Sequence, residues 1–216
     1  MKDMTLINVI LDRSGSMESL AEEAVGMFNR FLDDQKTLPD YAELSLIQFD
    51  DLYEENYLRM PIKDCPDLIP WETYKPRGMT ALYDAVGKSI NTIGENLKAL
   101  SSEERPERIL FVIITDGYEN ASKEFTGKVI GEMISHQKEV YNWDFIFLAA
   151  GIDAITEGMK FGVDVSKCSS VSFDEDGVKN VGNTMSNYTT SYRMSGDTSM
   201  KVEDFNLMKG GGGEEE

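Results

Sequence analysis

Three oxygen-bearing side chains follow the first apolar segment of the chain at alternate positions. The apolar run over residues 6–11 ends at Asp12, and Ser14 and Ser16 come next. A near-continuous apolar run predicts a strand that is buried on both faces, and open α/β sheets bind ligands at the carboxyl ends of such strands. One carboxylate and two hydroxyls on a short loop offer only oxygen ligands. This chemistry suits a hard cation such as Mg²⁺.

Two further segments carry side chains of the same chemical kind. Thr80 follows Gly78 and Met79 just before a predicted helix, and Asp116 follows a second apolar segment, residues 109–115. The spacing Asp-x-Ser-x-Ser would by itself arise often by chance. The three segments in this order form a much more specific pattern.

With these three segments, the chain resembles the von Willebrand factor type A (vWA) domain family with an intact metal-ion-dependent adhesion site. The resemblance covers roughly residues 4–193 and is to the bacterial or phage intracellular type. It implies that Ser14 and Ser16 bind a metal directly, that Thr80 binds it directly or through water, and that two aspartates act mainly through water. The implied metal residues are Asp12, Ser14, Ser16, Thr80 and Asp116. Mg²⁺ is the expected ion, with Mn²⁺ and Ca²⁺ as alternatives. Met79 departs from the family pattern, because a second glycine is common at that position.

The remaining segments favour an α/β fold. Apolar residues at helical spacing predict long helices over residues 18–35 and 81–100, and strands and helices alternate along the chain. Residues 53–62 alternate only weakly and contain a proline, so we expect an antiparallel edge strand. These elements predict a Rossmann-like, doubly wound, mostly parallel sheet of about six strands with helices on both faces. We expect a vWA domain over residues 1–193 and a flexible tail over 194–216, rich in Gly and Glu at its end.

The charge balance excludes several classes of partner. There are 39 acidic and 21 basic residues among 216, for a net charge of -18. Binding to nucleic acid depends on clustered Lys and Arg, and anionic membranes attract basic surfaces, so neither partner is expected. No segment approaches the 18 apolar residues of a membrane span, and the first apolar run is too short for a secretory signal. The widely spaced Cys65 and Cys168 suit reduced thiols, so we expect a cytoplasmic protein.

The available side chains favour a binding module over an enzyme. His136 is the only histidine and is expected on a helix surface, so Ser14 has no base for Ser-His-Asp chemistry. The family resemblance implies an adaptor that binds the Asp or Glu carboxylate of a protein partner through the metal, in some relatives within an ATPase-containing assembly. Two alternatives remain open. One is a Mg²⁺-dependent phosphoester hydrolase, and the other is a structural or virion-associated protein that the metal only stabilises.

Overall fold

One mixed sheet organises the protein, whose computed structural model describes residues 3–172 and 174–206. The strands within these residues are β1 (Thr5–Asp12), β2 (Ala42–Phe49), β3 (Tyr53–Pro61), β4 (Arg108–Thr115), β5 (Asp144–Ala150) and β6 (Cys168–Val171). These six strands lie in the order β3-β2-β1-β4-β5-β6. Every neighbouring pair is parallel except β2 with β3, which is antiparallel and at the edge. The predicted α/β sheet with one antiparallel edge strand is confirmed.

Helices cover both faces of this sheet. The α-helices in the described residues are α1 (Ala21–Lys36), α2 (Leu82–Lys98), α3 (Gly127–Tyr141), α4 (Ala154–Lys160), α5 (Glu175–Ser195) and α6 (Glu203–Asn206). Alternate side chains of a strand point to opposite faces, so Ile7 and Val9 pack with α1 and α5, whereas Leu6 and Ile10 pack with α2 and α3. In this described part of the chain, no helix combines the length and the apolar character needed to cross a membrane.

The helix expected from residue 18 begins with a different geometry. Gly15–Leu20 forms a 3₁₀ helix, and α1 starts only at Ala21. A 3₁₀ helix has three residues per turn, so residues three apart share one side. Met17 and Leu20 are therefore both buried against the core, while Ser16 stays exposed at the carboxyl end of β1.

The centre of the sheet contains a topological switch point. β1 lies between β2 and β4, and the chain leaves it first toward one side of the sheet and later toward the other. Leu11 of β1 lies beside Ile114 of β4 in register, so the loops that follow these two strands emerge side by side. Ligands of open α/β sheets bind at such a position.

The described residues after α5 pack onto the core. α5 itself continues to Ser195, beyond the expected domain boundary at residue 193. Val202 is fully buried and donates its N–H to the Ser166 carbonyl, and the Phe205 ring packs edge-on against Tyr188 at 5.5 Å between centroids. Two apolar side chains hold this short segment in place. The Gly- and Glu-rich end, residues 209–216, lies outside the described residues.

Candidate metal site

Asp12 ends β1 and is held by groups from three segments. Its Oδ1 accepts a hydrogen bond from the Ser14 backbone N–H at 2.6 Å, and its Oδ2 accepts one from the Thr115 hydroxyl. The Tyr74 hydroxyl donates to the Asp12 carbonyl at 2.7 Å. The carboxylate is fully buried, so these bonds fix its position at the end of the strand.

The two serines link this carboxylate to Asp116 at the end of β4. Ser14 Oγ and Ser16 Oγ lie 3.1 Å apart, and Ser16 Oγ donates to Asp116 Oδ1 at 2.9 Å. The other oxygen, Asp116 Oδ2, is buried and has no hydrogen-bond partner in the structure. A buried carboxylate oxygen without a partner is costly, and a cation would satisfy it.

Thr80 approaches the same position from the third segment. A Cβ atom added at Gly117, the residue after Asp116, would lie 3.0 Å from Thr80 Oγ1 and 3.7 Å from Ser16 Oγ. Both hydroxyls therefore reach the loop after β4. The structure thus brings together all the residues that the sequence singled out, Asp12, Ser14, Ser16, Thr80 and Asp116. Their role as metal ligands stays a prediction.

The loop after β4 is fastened to the start of α2. Thr80 N donates to Asn120 Oδ1 at 2.9 Å, and Asn120 N donates to the Thr80 carbonyl at 3.0 Å. Glu119 Oε2 accepts from the Tyr83 backbone N–H at 3.0 Å, where a helix N-terminus favours negative charge. These contacts fasten Thr80 and the start of α2 to the loop that follows Asp116.

A fully buried carboxylate, Asp50, joins two of the site's loops. Its Oδ2 accepts from Arg13 Nε at 3.1 Å and from Arg77 Nε at 2.8 Å. Arg13 lies between Asp12 and Ser14, and it also pairs with Glu54 at 2.7 Å. The only sequence signal for Asp50 is its place directly after β2, which is weak in a chain with so many acidic residues.

Met79 does not disturb the loop in which it replaces the expected glycine. Of these two residues, only Gly78 takes the left-handed conformation, with φ +66, and its carbonyl accepts a hydrogen bond from Gly15 N at 3.2 Å. A Cβ at Gly78 would meet Asp51 Oδ1 at 2.0 Å, so this position needs glycine. The Met79 side chain instead points to solvent and is more than half exposed.

The donor set fits a hard divalent cation. Burial is the main cause that raises the pKa of Asp12 from its ordinary 3.8 to about 7, although hydrogen bonds from Thr115 and Ser14 oppose the shift. Burial also raises the pKa of Asp116. Two buried acids beside neutral hydroxyls lack compensating positive charge. Within residues 3–172 and 174–206, no group of three or more His, Cys, Asp and Glu side chains is arranged to hold a metal, so this site depends on hydroxyls beside its two carboxylates.

We expect the effect of Mg²⁺ on stability to increase with pH. A carboxyl whose pKa is higher in the folded state stabilises the metal-free protein at low pH, and this stabilisation is lost as pH rises toward 7. A Mg²⁺ ion bound at this site would displace the Asp12 proton, so its affinity should fall about tenfold for each pH unit below this pKa. The measurement is the rise in melting temperature caused by Mg²⁺, compared with EDTA, at about pH 6 and about pH 8. A rise of equal size at both pH values would contradict this expectation.

Comparisons with known proteins agree with this fold. No protein-family model matches the chain, and no curated protein matches it by sequence. Among solved structures, proximal thread matrix protein 1 of the mussel byssus, with a zinc-occupied MIDAS motif, has a TM-score of 0.59 at 14% identity over 86% of this chain and 46% of its own. The manganese-loaded TRAP protein of Plasmodium vivax has a TM-score of 0.56 at 14% identity over 85% and 74%.

A von Willebrand factor type A protein from Catenulispora acidiphila has a TM-score of 0.51 at 12% identity over 85% of this chain and 42% of its own. The chain therefore has the vWA fold, and the resemblance read from the sequence is confirmed at the level of the fold. The chain spans less than half the length of the byssus protein and of the Catenulispora protein.

Proposed function

We propose that this protein is a metal-dependent protein-binding module. The cation would be held by Asp12, Ser14, Ser16, Thr80 and Asp116, with Mg²⁺ as the expected ion and Mn²⁺ or Ca²⁺ as alternatives. The observation that carries the proposal is the unpartnered, buried Asp116 Oδ2 beside the Ser14 and Ser16 hydroxyls at the switch point of the sheet. Zinc in the MIDAS motif of the byssus protein and manganese in TRAP support a divalent ion for this fold.

The chemistry of the residues favours an anionic partner group. A bound hard cation supplies positive charge and a position for an anionic oxygen. Ser14, Ser16 and Thr80 offer neutral hydroxyls, which leave more of that charge uncompensated than further carboxylates would. We infer that an Asp or Glu side chain of a protein partner completes the site.

The acidity of the protein opposes such a partner only at long range. A net charge of -18 repels acidic molecules, but physiological salt screens exposed charges beyond about 8 Å. At contact, Arg77 lies at the edge of the site, half exposed. Local charge at the site should therefore decide the binding.

A hydrolase is the alternative from another class. His136 lies exposed on α3, and its ring packs edge-on against Tyr141. We therefore infer a non-enzymatic role. Hydrolysis of phosphate esters that needs Mg²⁺ and is lost in Asp12→Ala would support the enzyme instead. A structural role with a stabilising metal is the other alternative, and it predicts metal-dependent melting without metal-dependent binding. The cytoplasmic location and an ATPase-containing partner assembly stay predictions from the sequence.

The proposal is tested first by metal titration of the Asp116→Asn variant. Wild-type protein should bind one Mn²⁺ in isothermal titration, and the variant should bind it at least about tenfold more weakly, because a neutral amide replaces a carboxylate of the donor set. Asp164→Asn is the matched control, since Asp164 lies before the amino end of β6. Its side chain accepts from Ser166 N and caps the short 3₁₀ helix Val165–Lys167. Mn²⁺ affinity that is equal in all three proteins would place the metal elsewhere.

The carboxylate preference needs a separate measurement. Wild-type protein should retain short peptides that contain Asp or Glu in Mn²⁺ and release them in EDTA. The same peptides with Asn or Gln should not be retained. Equal retention of both peptide sets would argue against carboxylate recognition.

A further inference from the structure

Three large apolar side chains stand exposed on the loops around the candidate metal site. Leu52 lies in the loop after β2, Met79 in the loop before α2 and Tyr118 in the loop after β4. Each of these side chains is 54–57% exposed. Single exposed apolar residues are ordinary, whereas several together beside a polar site mark an interaction surface. We call these three residues the apolar rim.

Contacts between their loops place these residues close together. Gly78, directly before Met79, lies against Asp51, directly before Leu52. A Cβ atom at Gly78 would lie 2.0 Å from Asp51 Oδ1. Gly117, directly before Tyr118, lies against Thr80, directly after Met79. A Cβ atom at Gly117 would lie 3.0 Å from Thr80 Oγ1. Met79 therefore lies between the loop that carries Leu52 and the loop that carries Tyr118.

We propose that the apolar rim makes the site selective for an acidic side chain that has a bulky apolar residue next to it in the partner. The inference rests on the proposed function of the metal site. Met79 and Tyr118 are one and two residues from the metal residues Thr80 and Asp116. Consecutive residues of a bound segment are about 3.8 Å apart, so the neighbours of a bound acid reach the rim.

The composition of the rim favours an apolar segment over a charged one. Methionine adapts to differently shaped apolar groups, and tyrosine and methionine are enriched in protein interfaces. A charged or polar flanking residue would lose hydration against these three side chains, so a segment with an apolar neighbour should bind more tightly. The carboxylate supplies attraction to the metal, and the apolar neighbour supplies selectivity.

The test uses a library of short peptides with a fixed central Asp and randomised flanking residues. Wild-type protein in Mn²⁺ should retain peptides with Leu, Ile, Met, Phe, Tyr or Trp next to the Asp. For one selected peptide, serine in place of the apolar neighbour should weaken binding about tenfold, as expected for the loss of one buried apolar side chain. The triple variant Leu52→Ser, Met79→Ser and Tyr118→Ser should lose the preference while its Mn²⁺ affinity stays at the wild-type value.

A matched control removes three apolar side chains that are at least as exposed and lie at the other end of the sheet. Val140 and Tyr141 end α3 just before β5, and Met194 lies in the last turn of α5. These three side chains are 58–75% exposed. Their triple serine variant should keep both the peptide preference and the Mn²⁺ affinity. If it also loses the preference, the effect does not belong to the rim and the inference is overturned.

The remaining outcomes separate this inference from the proposed function. Metal-dependent retention of acidic peptides without any flanking preference overturns the rim and leaves the metal site intact. Peptide retention that needs the rim but persists in EDTA assigns the rim to another occupant and overturns the inference. The same conclusion follows if the unliganded protein forms a dimer that the rim variant abolishes. If no acidic peptide is retained in a metal-dependent way, the proposed function fails and the inference fails with it.

Discussion

Replacing Asp50 by asparagine is expected to destabilise the protein by about 3 kcal/mol and to weaken metal binding at the same time. Asp50 is fully buried and accepts from Arg13 at 3.1 Å and from Arg77 at 2.8 Å. Removing one partner of a buried ion pair leaves the other charge uncompensated, which costs about 3–5 kcal/mol. Glu54 remains bound to Arg13, so we expect the lower end of this range.

The effect on metal binding follows from the two loops that Asp50 joins. Arg13 lies between Asp12 and Ser14, and Arg77 lies three residues before Thr80. The Arg77 N–H also donates to the Arg13 carbonyl at 2.8 Å, and Ala81 N donates to the Asp50 carbonyl at 3.0 Å. Without the shared carboxylate, the hydroxyls of the two loops should be less well positioned. We expect Mn²⁺ affinity to fall about tenfold, as for other residues that orient metal ligands.

Two measurements check this expectation. Thermal unfolding in EDTA should show a decrease in melting temperature of roughly 6–12 °C for a protein of this size. Titration with Mn²⁺ well below the melting temperature should show the weaker affinity. An Asp50→Asn protein that melts early but binds Mn²⁺ as tightly as the wild type would restrict Asp50 to a structural role.

Replacing Arg193 by alanine is expected to destabilise the protein by about 4 kcal/mol without changing metal binding. The Arg193 guanidinium is buried and binds both carboxylate oxygens of Asp40 at 2.9 Å, and its Nη1 donates to the Gln35 carbonyl at 2.8 Å. These bonds join α5 to the end of α1 and the loop that follows it. Alanine would leave Asp40 without its buried partner and would remove the Nη1 donor from the Gln35 carbonyl, to which Leu38 N still donates at 3.4 Å.

Arg193 also serves as the matched control for Asp50. It lies in the last turn of α5, near the amino end of β2, whereas the candidate metal residues lie at the carboxyl ends of β1 and β4 and just before α2. The Arg193→Ala protein should therefore unfold early in calorimetry and still bind Mn²⁺ with wild-type affinity. Arg193→Lys should recover only part of the stability, because lysine cannot bind a carboxylate with two parallel bonds. If Mn²⁺ affinity falls with stability in both the Asp50 and Arg193 variants, metal binding reports only on overall stability.

The sequence by itself determined the fold class and the residues worth testing. The apolar runs that became β1 and β4 are buried on both faces, and such runs are readable because nearly every position is apolar. Asp12 and Asp116 were identified because each follows one of these runs. Parallel strands end at one edge of a sheet, so a polar residue just after each strand is a strong indication of a shared site.

Only the tertiary structure decided which groups support these residues. Asp50 meets Arg13 and Arg77 across 37 and 27 positions of sequence, and Arg193 meets Asp40 across 153. In a chain with 39 acidic residues, no pattern distinguishes these carboxylates from solvated ones. Their roles depend on burial and on partners distant in sequence, which arise only when the loops are brought together. The 3₁₀ helix Gly15–Leu20 before α1 is a further feature of the tertiary structure, since Met17 and Leu20 are both buried against the core.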